Sequence, residues 1–264
     1  MERIAIVMPA HNEEERIGPT LKEYLDFFLK IKKNKVYDFE IIVVINNCKD
    51  NTRKVVEKFK CKELKIIEFV RGGKGFAVTE GFKEALKGNF DLIGFVDADL
   101  ATPAFAFYDL IKNIKDYDGV IANRWDKRSD IKTKQTWFRR CFSIGFNFIV
   151  RTLFFLPHRD TQCGAKVFRA DSLRKVVPML GASEWSFDVD LLFYMRRIGA
   201  RVKSIPTTWE DKKGSKINIK RTPARMFFSV VRLRLYHSPF KFLIRAHSKL
   251  PEKWKVGNII DRIK

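Results

Sequence analysis

Apolar residues in the first half of the chain come in short, nearly unbroken runs, separated by stretches with helical spacing. Residues 4–8, 39–45, 64–69, 92–96 and 119–122 form the runs and read as strands. Helices are expected from residue 12 to about 33, over 52–60, from the turn at 72–75 through 86, and over 105–114. In the first of these, Glu13, Glu14 and Glu15 would lie in the opening turn, where acids complement the helix dipole. Near-continuous apolar strands alternating with helices predict an α/β fold with a mostly parallel sheet covered on both faces.

The second half has a different texture. Residues 136–156 are apolar and aromatic but interrupted by Arg139, Arg140 and Arg151, and 223–237 repeat the mixture with Arg225, Arg232 and Arg234. Both are too charged to span a bilayer. They have the profile of helices lying in a membrane interface, with arginines reaching phosphates and Phe side chains dipping into acyl chains. Two other readings stay open: a core-packing helix pair, and a single-stranded nucleic-acid surface. The density of apolar residues favours lipid, and no nucleic-acid-binding signature supports that partner.

Charge sharpens the contrast. Residues 1–120 hold 20 Lys+Arg and 20 Asp+Glu, whereas 121–264 hold 32 and 11, so the whole excess of +21 belongs to the second part. A basic half calls for a polyanion, an anionic membrane or a phosphorylated substrate, although a lysine-rich solvated surface would look the same. The 264 residues, 45% hydrophobic, are enough for one domain with elaborations. No uncharged apolar run is long enough for a transmembrane helix, and the chain enters a strand at once without a signal-peptide layout, so a cytoplasmic, peripheral protein is expected. The four cysteines and four histidines are dispersed, which argues against a disulfide frame or a zinc site.

The candidate chemistry lies at the strand ends. Residues 92–99 read Leu-Ile-Gly-Phe-Val-Asp-Ala-Asp, an apolar run stopping on two carboxylates. Taken as extended, the segment puts Asp97 and Asp99 on one side, and two hard oxygen ligands there suit Mg²⁺ or Mn²⁺ holding phosphate oxygens. The alternative is a loop in which one Asp caps the next helix. Pro9-Ala-His-Asn-Glu13, Asn46-Asn47 and Arg71-Gly-Gly-Lys-Gly75 end the other strands. Ligands of doubly wound sheets bind at that rim. No Gly-x-Gly-x-x-Gly follows the first strand and no P-loop is present, which disfavours a dinucleotide cofactor and a P-loop NTPase.

Together these motifs resemble the inverting family 2 glycosyltransferases, whose nucleotide-diphospho-sugar transferase fold is called GT-A. Pro9-Ala-His-Asn-Glu-Glu14 matches the opening motif, Arg71-Gly-Gly-Lys-Gly75 the Gly-Lys-Gly turn and Asp97-Ala-Asp99 the metal motif. Arg159-Asp-Thr-Gln-Cys-Gly164, Lys166-Val-Phe168, the run from Trp185 to Leu192, Trp209 and Gly214-Ser-Lys216 are similar to the dolichyl-phosphate glucose synthase (dolichyl-phosphate beta-glucosyltransferase) branch, with the dolichyl-phosphate mannose synthases close by. The likeness covers about residues 3–237.

The resemblance implies transfer of a hexose, best UDP-glucose and alternatively GDP-mannose, to a polyprenyl (dolichyl-type) phosphate. It implies Mg²⁺ or Mn²⁺ at Asp97 and Asp99, and Pro9, Ala10, Glu13, Asn46, Lys74, Ala98, Gln162 and Trp185 around the nucleotide sugar. Arg124, Arg139 and Lys216 are the candidates for the acceptor phosphate, and Asp160 and Asp188 are acids facing it that either move a proton or orient a basic residue. Asn46 stands where the family usually has an Asp contacting the base. Residues 1–220 are expected to be the GT-A domain, including an interface helix at 134–157, and 221–264 a basic amphipathic extension on the cytoplasmic face of a membrane. A basic binding protein with an inactive transferase site is the reading from another class.

Overall fold

The computed structural model describes residues 1–133, 137–181, 186–212 and 221–242, with the side chains of 137–142 and 221–225 outside the description. Five of the expected strands appear: β1 (Glu2–Ala10), β2 (Tyr37–Asn46), β3 (Leu64–Phe69), β4 (Leu92–Val96) and β5 (Gly119–Asn123). The helices between them are α1 (Ile17–Lys33), α2 (Thr52–Glu57), α3 (Lys74–Ala85) and α4 (Ala104–Lys112). α1 starts later than expected, because Glu13 to Arg16 form a turn; the three glutamates precede the helix and none lies in its first turn.

The second half completes the same sheet. After the short strand β6 (Asp130–Ile131) and α5 (Trp137–Phe154), β7 (Ala165–Arg169) inserts between β4 and β5, antiparallel to both. Then follow α6 (Ala170–Val176), α7 (Phe187–Arg197), β8 (Val202–Pro206), β9 (Thr208–Trp209) and α8 (Arg221–Tyr236). The seven strands lie in the order β3-β2-β1-β4-β7-β5-β8, and β6 pairs with β9 in a separate ribbon. All neighbours in the large sheet except those of β7 are parallel, as the unbroken apolar runs predict.

Alternation along β1 divides the core. Ile4, Ile6 and Met8 face the layer holding α1 and α4, while Ala5 and Val7 face the layer holding α3 and α7. α3 approaches the sheet closely because Gly81 has no side chain; a Cβ there would lie 2.3 Å from Val7 Cγ1. The amphipathic helices are divided in the same way. Phe146, Val150 and Phe154 of α5 and Val230 and Leu233 of α8 are buried in the second layer, so α8 packs on this core although it lies beyond residue 220. Ile144 and Phe148 of α5, Phe155 just after it, and Phe227 and Phe228 of α8 are exposed. Among the described residues no helix is long and apolar enough to cross a membrane.

Candidate active site

The chain leaves β1 for β2 and β3 on one side and reaches β4 on the other, so the sheet has its switch point between β1 and β4. The loops there are tied to one another. His11 Nδ1 lies 2.7 Å from Asn46 O, Thr52 Oγ1 accepts from Glu13 N (2.7 Å), and Lys49 N donates to Asn12 Oδ1 (2.7 Å). Asn12 and Asn47 take positive φ (55° and 49°), a conformation asparagine tolerates better than most residues.

Asn46 is only 2% exposed. With its amide oriented to satisfy both neighbours, it donates to Ala10 O (2.8 Å) and accepts from Gly73 N (3.2 Å), joining the first rim loop to the glycine turn. Gly73 has φ 115°, which a residue with a side chain adopts at a cost.

Asp97 and Asp99 differ from the extended arrangement expected of them. β4 stops at Val96, and residues 98 and 99 form a turn in which Leu100 has φ 58°. α1 holds this turn, because Thr20 Oγ1 donates to Ala98 O (2.9 Å) and Tyr24 OH to Thr102 O (2.9 Å). Asp99 Oδ1 accepts from Ala101 N (3.0 Å), and the N-cap of α4 is Pro103, so neither aspartate caps that helix.

Two basic residues meet the carboxylates. Lys74, first in α3, places Nζ 2.6 Å from Asp97 Oδ1. Arg16, which the sequence reading passed over, forks onto Glu13 (both contacts 2.6 Å) and brings Nη1 to 3.9 Å from Asp99 Oδ2. Burial opposes the charge on Lys74, but Asp97, Asp188 and Asp99 outweigh it and raise its pKa. Burial, then the charge of Asp97, raises the pKa of Asp99 against the Ala101 N–H, Arg16 and Lys74.

Behind this rim lie two ion pairs. Asp160, fully buried, accepts from the Arg124 backbone N–H (2.9 Å), from Nε (2.8 Å) and, through its other oxygen, from Nη2 (2.9 Å). Burial pushes the Asp160 carboxyl up, yet Arg124 prevails and lowers it. The Arg124 guanidinium also lies 5.3 Å from the Trp209 ring centre. Lys166, fully buried in β7, pairs with Asp188 of α7 and donates to Cys163 O (2.7 Å), its ammonium 5.1 Å from the Phe95 ring centre. Lys166 was legible only as part of a motif; a lysine amid Ala165, Val167 and Phe168 is the signal that it is buried and paired. Burial pushes the Cys163 thiol up to about 12, so this cysteine stays protonated and unreactive.

Gln162 carries a buried Nε2 with no hydrogen-bond partner among the described residues. Pro9, Ala10, Glu13, Asn46, Lys74, Asp97, Ala98 and Asp99 thus line the loops around the switch point, and Arg124, Asp160, Gln162 and Asp188 belong to the adjoining β5 and β7 side. Trp185, Lys216 and the Arg139 side chain lie outside the described residues.

Residues 5–177 match the family model described as glycosyl transferase family 2. The chain belongs to that family. A dolichyl-phosphate beta-glucosyltransferase of Dictyostelium discoideum is 29% identical over 253 residues, 91% of this chain and 75% of that protein. One of Trichomonas vaginalis is 30% identical over 255 residues, 93% and 74% of the two chains. Among solved structures, glucosyl-3-phosphoglycerate synthase from Mycobacterium tuberculosis, in complex with Mn²⁺, UDP-glucose and phosphoglyceric acid, superposes with a TM-score of 0.64 at 15% identity, covering 88% of this chain and 78% of that one. That likeness establishes the GT-A fold. As a family 2 glycosyltransferase, the protein has its paired aspartates on the rim of the sheet.

Proposed function

We propose that this glycosyltransferase moves glucose from UDP-glucose to a dolichyl-type polyprenyl phosphate, with inversion at the anomeric carbon. What carries the substrate assignment is likeness over about nine-tenths of the chain to proteins named dolichyl-phosphate beta-glucosyltransferases. The geometry is compatible with it: a paired-carboxylate rim for a diphosphate lies near a buried arginine whose Nε and Nη2 are held by Asp160, leaving Nη1 for a phosphate.

The residues fit a divalent cation. Asp97 and Asp99 are hard oxygen donors, and the raised pKa of Asp99 reflects burial first and then the like charge of Asp97, both of which a cation would offset. No group of three or more metal-type side chains exists among the described residues, so the remaining ligands would be diphosphate oxygens and water. When bound, Mg²⁺ or Mn²⁺ supplies Lewis-acid stabilisation of the departing nucleotide.

The chain's own groups do the rest. The N-terminus of α3 and Lys74 add positive charge at the diphosphate. Glu13, Pro9 and Ala10 shape the base and ribose wall. Asn46, engaged by Ala10 and Gly73, holds that wall in place, so base contacts fall to groups around it. The unsatisfied amide of Gln162 takes a sugar hydroxyl, and Trp185 stacks on the hexose. An oxygen of the acceptor phosphate forms the new bond to C1 as the bond from C1 to the UDP oxygen breaks, and UDP leaves with that electron pair. A phosphate monoester has its second pKa near about 6, so it is a dianion at neutral pH and needs no general base. Asp160 therefore orients Arg124, and Asp188 holds Lys166, rather than either moving a proton. Arg124, with Arg139 and Lys216, receives the acceptor phosphate.

The exposed residues Ile144, Phe148, Phe155, Phe227 and Phe228, set in the basic half, dock the enzyme on the anionic cytoplasmic face of a membrane where the lipid acceptor resides. The test is transfer from a panel of radiolabelled nucleotide sugars to dolichyl phosphate, with Mn²⁺, Mg²⁺ or EDTA. Labelled lipid from UDP-glucose, lost in EDTA, is the expected result. Label from GDP-mannose alone overturns the donor, and no lipid product from any donor overturns the acceptor.

A further inference from the structure

At the far edge of the sheet, a cleft of ≈ 530 Å³ is lined by Asn123, Asp126, Lys127, Arg128, Pro157, Arg159 and Ser204. Its lining takes Asn123 from the end of β5 and Ser204 from β8, two and three positions from β4 in the sheet, about 10 and 14 Å at ordinary strand spacing, so it is displaced from the Asp97–Asp99 rim.

The cleft is built rather than incidental. Ser129 Oγ donates to Asn123 O (2.6 Å) and accepts from Thr207 N (3.0 Å), and Asn123 Oδ1 accepts from Trp125 N (3.0 Å). These bonds fix the turn between β5 and β6. Asp126, the one carboxylate in the lining, is already held by Arg128 at 3.0 and 2.9 Å. Lys127 and Arg159 make no ion pair among the described residues, and although the charge of Asp126 reaches Arg159, the lining carries three cations against that one carboxylate, an excess supplied from two separate segments.

The approach to the cleft is apolar. From Phe155 to Asp160 burial alternates: Leu156, His158 and Asp160 are buried, and Phe155, Pro157 and Arg159 are exposed. Arg159 therefore points away from the Asp160–Arg124 pair. Phe155 is 67% exposed and Phe148, at 66%, lies on the same face of α5 as Ile144. Exposed apolar side chains thus precede the lining residues Pro157 and Arg159 in the chain, and the cleft is larger than a bare phosphate requires.

We propose that this cleft holds the phosphate of a membrane phospholipid headgroup, with the acyl chains against Phe148 and Phe155, and that it sets the enzyme's orientation on the bilayer. The site rests on the membrane-docking part of the reading above and is independent of the donor sugar. It is a place for a structural lipid rather than for the acceptor, whose phosphate belongs beside Arg124.

The experiment is co-sedimentation of the full chain with phosphatidylcholine vesicles containing phosphatidylglycerol. K127Q/R159Q is compared with K54Q/K58Q, which removes the same charge from exposed positions on and beside α2. The cleft variant should lose roughly thirty-fold in vesicle affinity and the control far less, while transfer to a detergent-solubilised acceptor is unchanged in both. Equal losses in the two variants, or none in the cleft variant, overturn the site. Phosphorus NMR titration with inorganic phosphate separates the sources: tight binding of the free ion that vesicles do not displace overturns the lipid assignment. Wild type that ignores vesicles altogether removes the docking reading and this proposal with it, leaving the transfer assay to stand on its own.

Discussion

The carboxylate of Asp97 occupies the space that a side chain at Gly164 would need: a Cβ there would lie 1.8 Å from Oδ2 and 2.3 Å from Cγ. The cause is the antiparallel pairing of β4 and β7, which sets Val96 opposite Ala165 and lets Asp97 N donate to Gly164 O (3.1 Å). Gly164→Ala must therefore swing the carboxylate away from Lys74. The expected cost is about 1–3 kcal/mol of stability and a loss of roughly a hundred-fold or more in transfer rate, because small displacements of a positioned group are expensive in rate. Urea unfolding and transfer kinetics on the same preparation check both, and an unchanged kcat would show that Asp97 needs no fixed position.

Under the proposed function, Asp99 serves the reaction at the expense of the fold. Its folded-state pKa lies above the unfolded value, so ionisation is penalised in the native state, and stability is lost as pH rises through the native pKa. Asp99→Asn should abolish transfer while raising the melting temperature at pH 7, with the gain shrinking as pH falls and the wild-type carboxyl protonates. A lower melting temperature at neutral pH would show that the carboxylate is satisfied without a bound cation.

Arg124 and Asp160 form a buried pair in which either partner alone is a liability. Asp160→Ala leaves the guanidinium without its counter-charge and should cost about 3–5 kcal/mol. The double variant Arg124→Met, Asp160→Leu should regain most of that stability yet lose transfer, because under the proposed function Arg124, unlike Asp160, meets the acceptor phosphate. If the double variant retains transfer, the acceptor binds elsewhere.

His158 makes the fold acid-sensitive. Burial, and secondarily the charge of Lys166, lowers its pKa to about 4, with Nδ1 lying 3.0 Å from Ser204 Oγ. The unfolded histidine titrates near about 6.5. Between those values the unfolded chain takes up a proton that the folded chain refuses, so this contribution is complete above pH 6.5 and falls away toward pH 4. The expected loss between pH 7 and pH 5 is about 2 kcal/mol. Urea midpoints at the two pH values should converge in His158→Gln; an unaltered pH dependence would assign the effect to other groups.

Much of the first half was legible residue by residue. Four of the five strands are nearly unbroken apolar runs because both faces of a parallel sheet are covered, whereas β3, at the sheet edge, carries Lys65 and Glu68. The rim position of Asp97 and Asp99 followed from that rule, but their turn did not: the period-two argument assumed an extended chain, whereas Thr20 and Tyr24, about 80 residues earlier in the chain, hold the backbone in another shape. β7 was visible only as part of a motif, because five residues containing a lysine and an arginine carry little strand pattern of their own. Arg16 was passed over because nothing local distinguishes it from other charged residues, and only the fold of Glu13 to Arg16 brings it near Asp99.

The amino-acid sequence by itself determined the layer architecture, the strand ends that carry chemistry, the concentration of basic charge in the second half and the family likeness, because each is a property of local pattern and composition. Tertiary structure alone decided that Asp160 belongs to Arg124, that Asp188 belongs to Lys166, that Gly164 makes room for Asp97 and that one face of α5 is core while the other is bare. Those pairings join residues between about 20 and 70 positions apart, and nothing local records which charge will be desolvated beside which. That is set only when β7 enters the sheet between β4 and β5 and brings its neighbours to the rim.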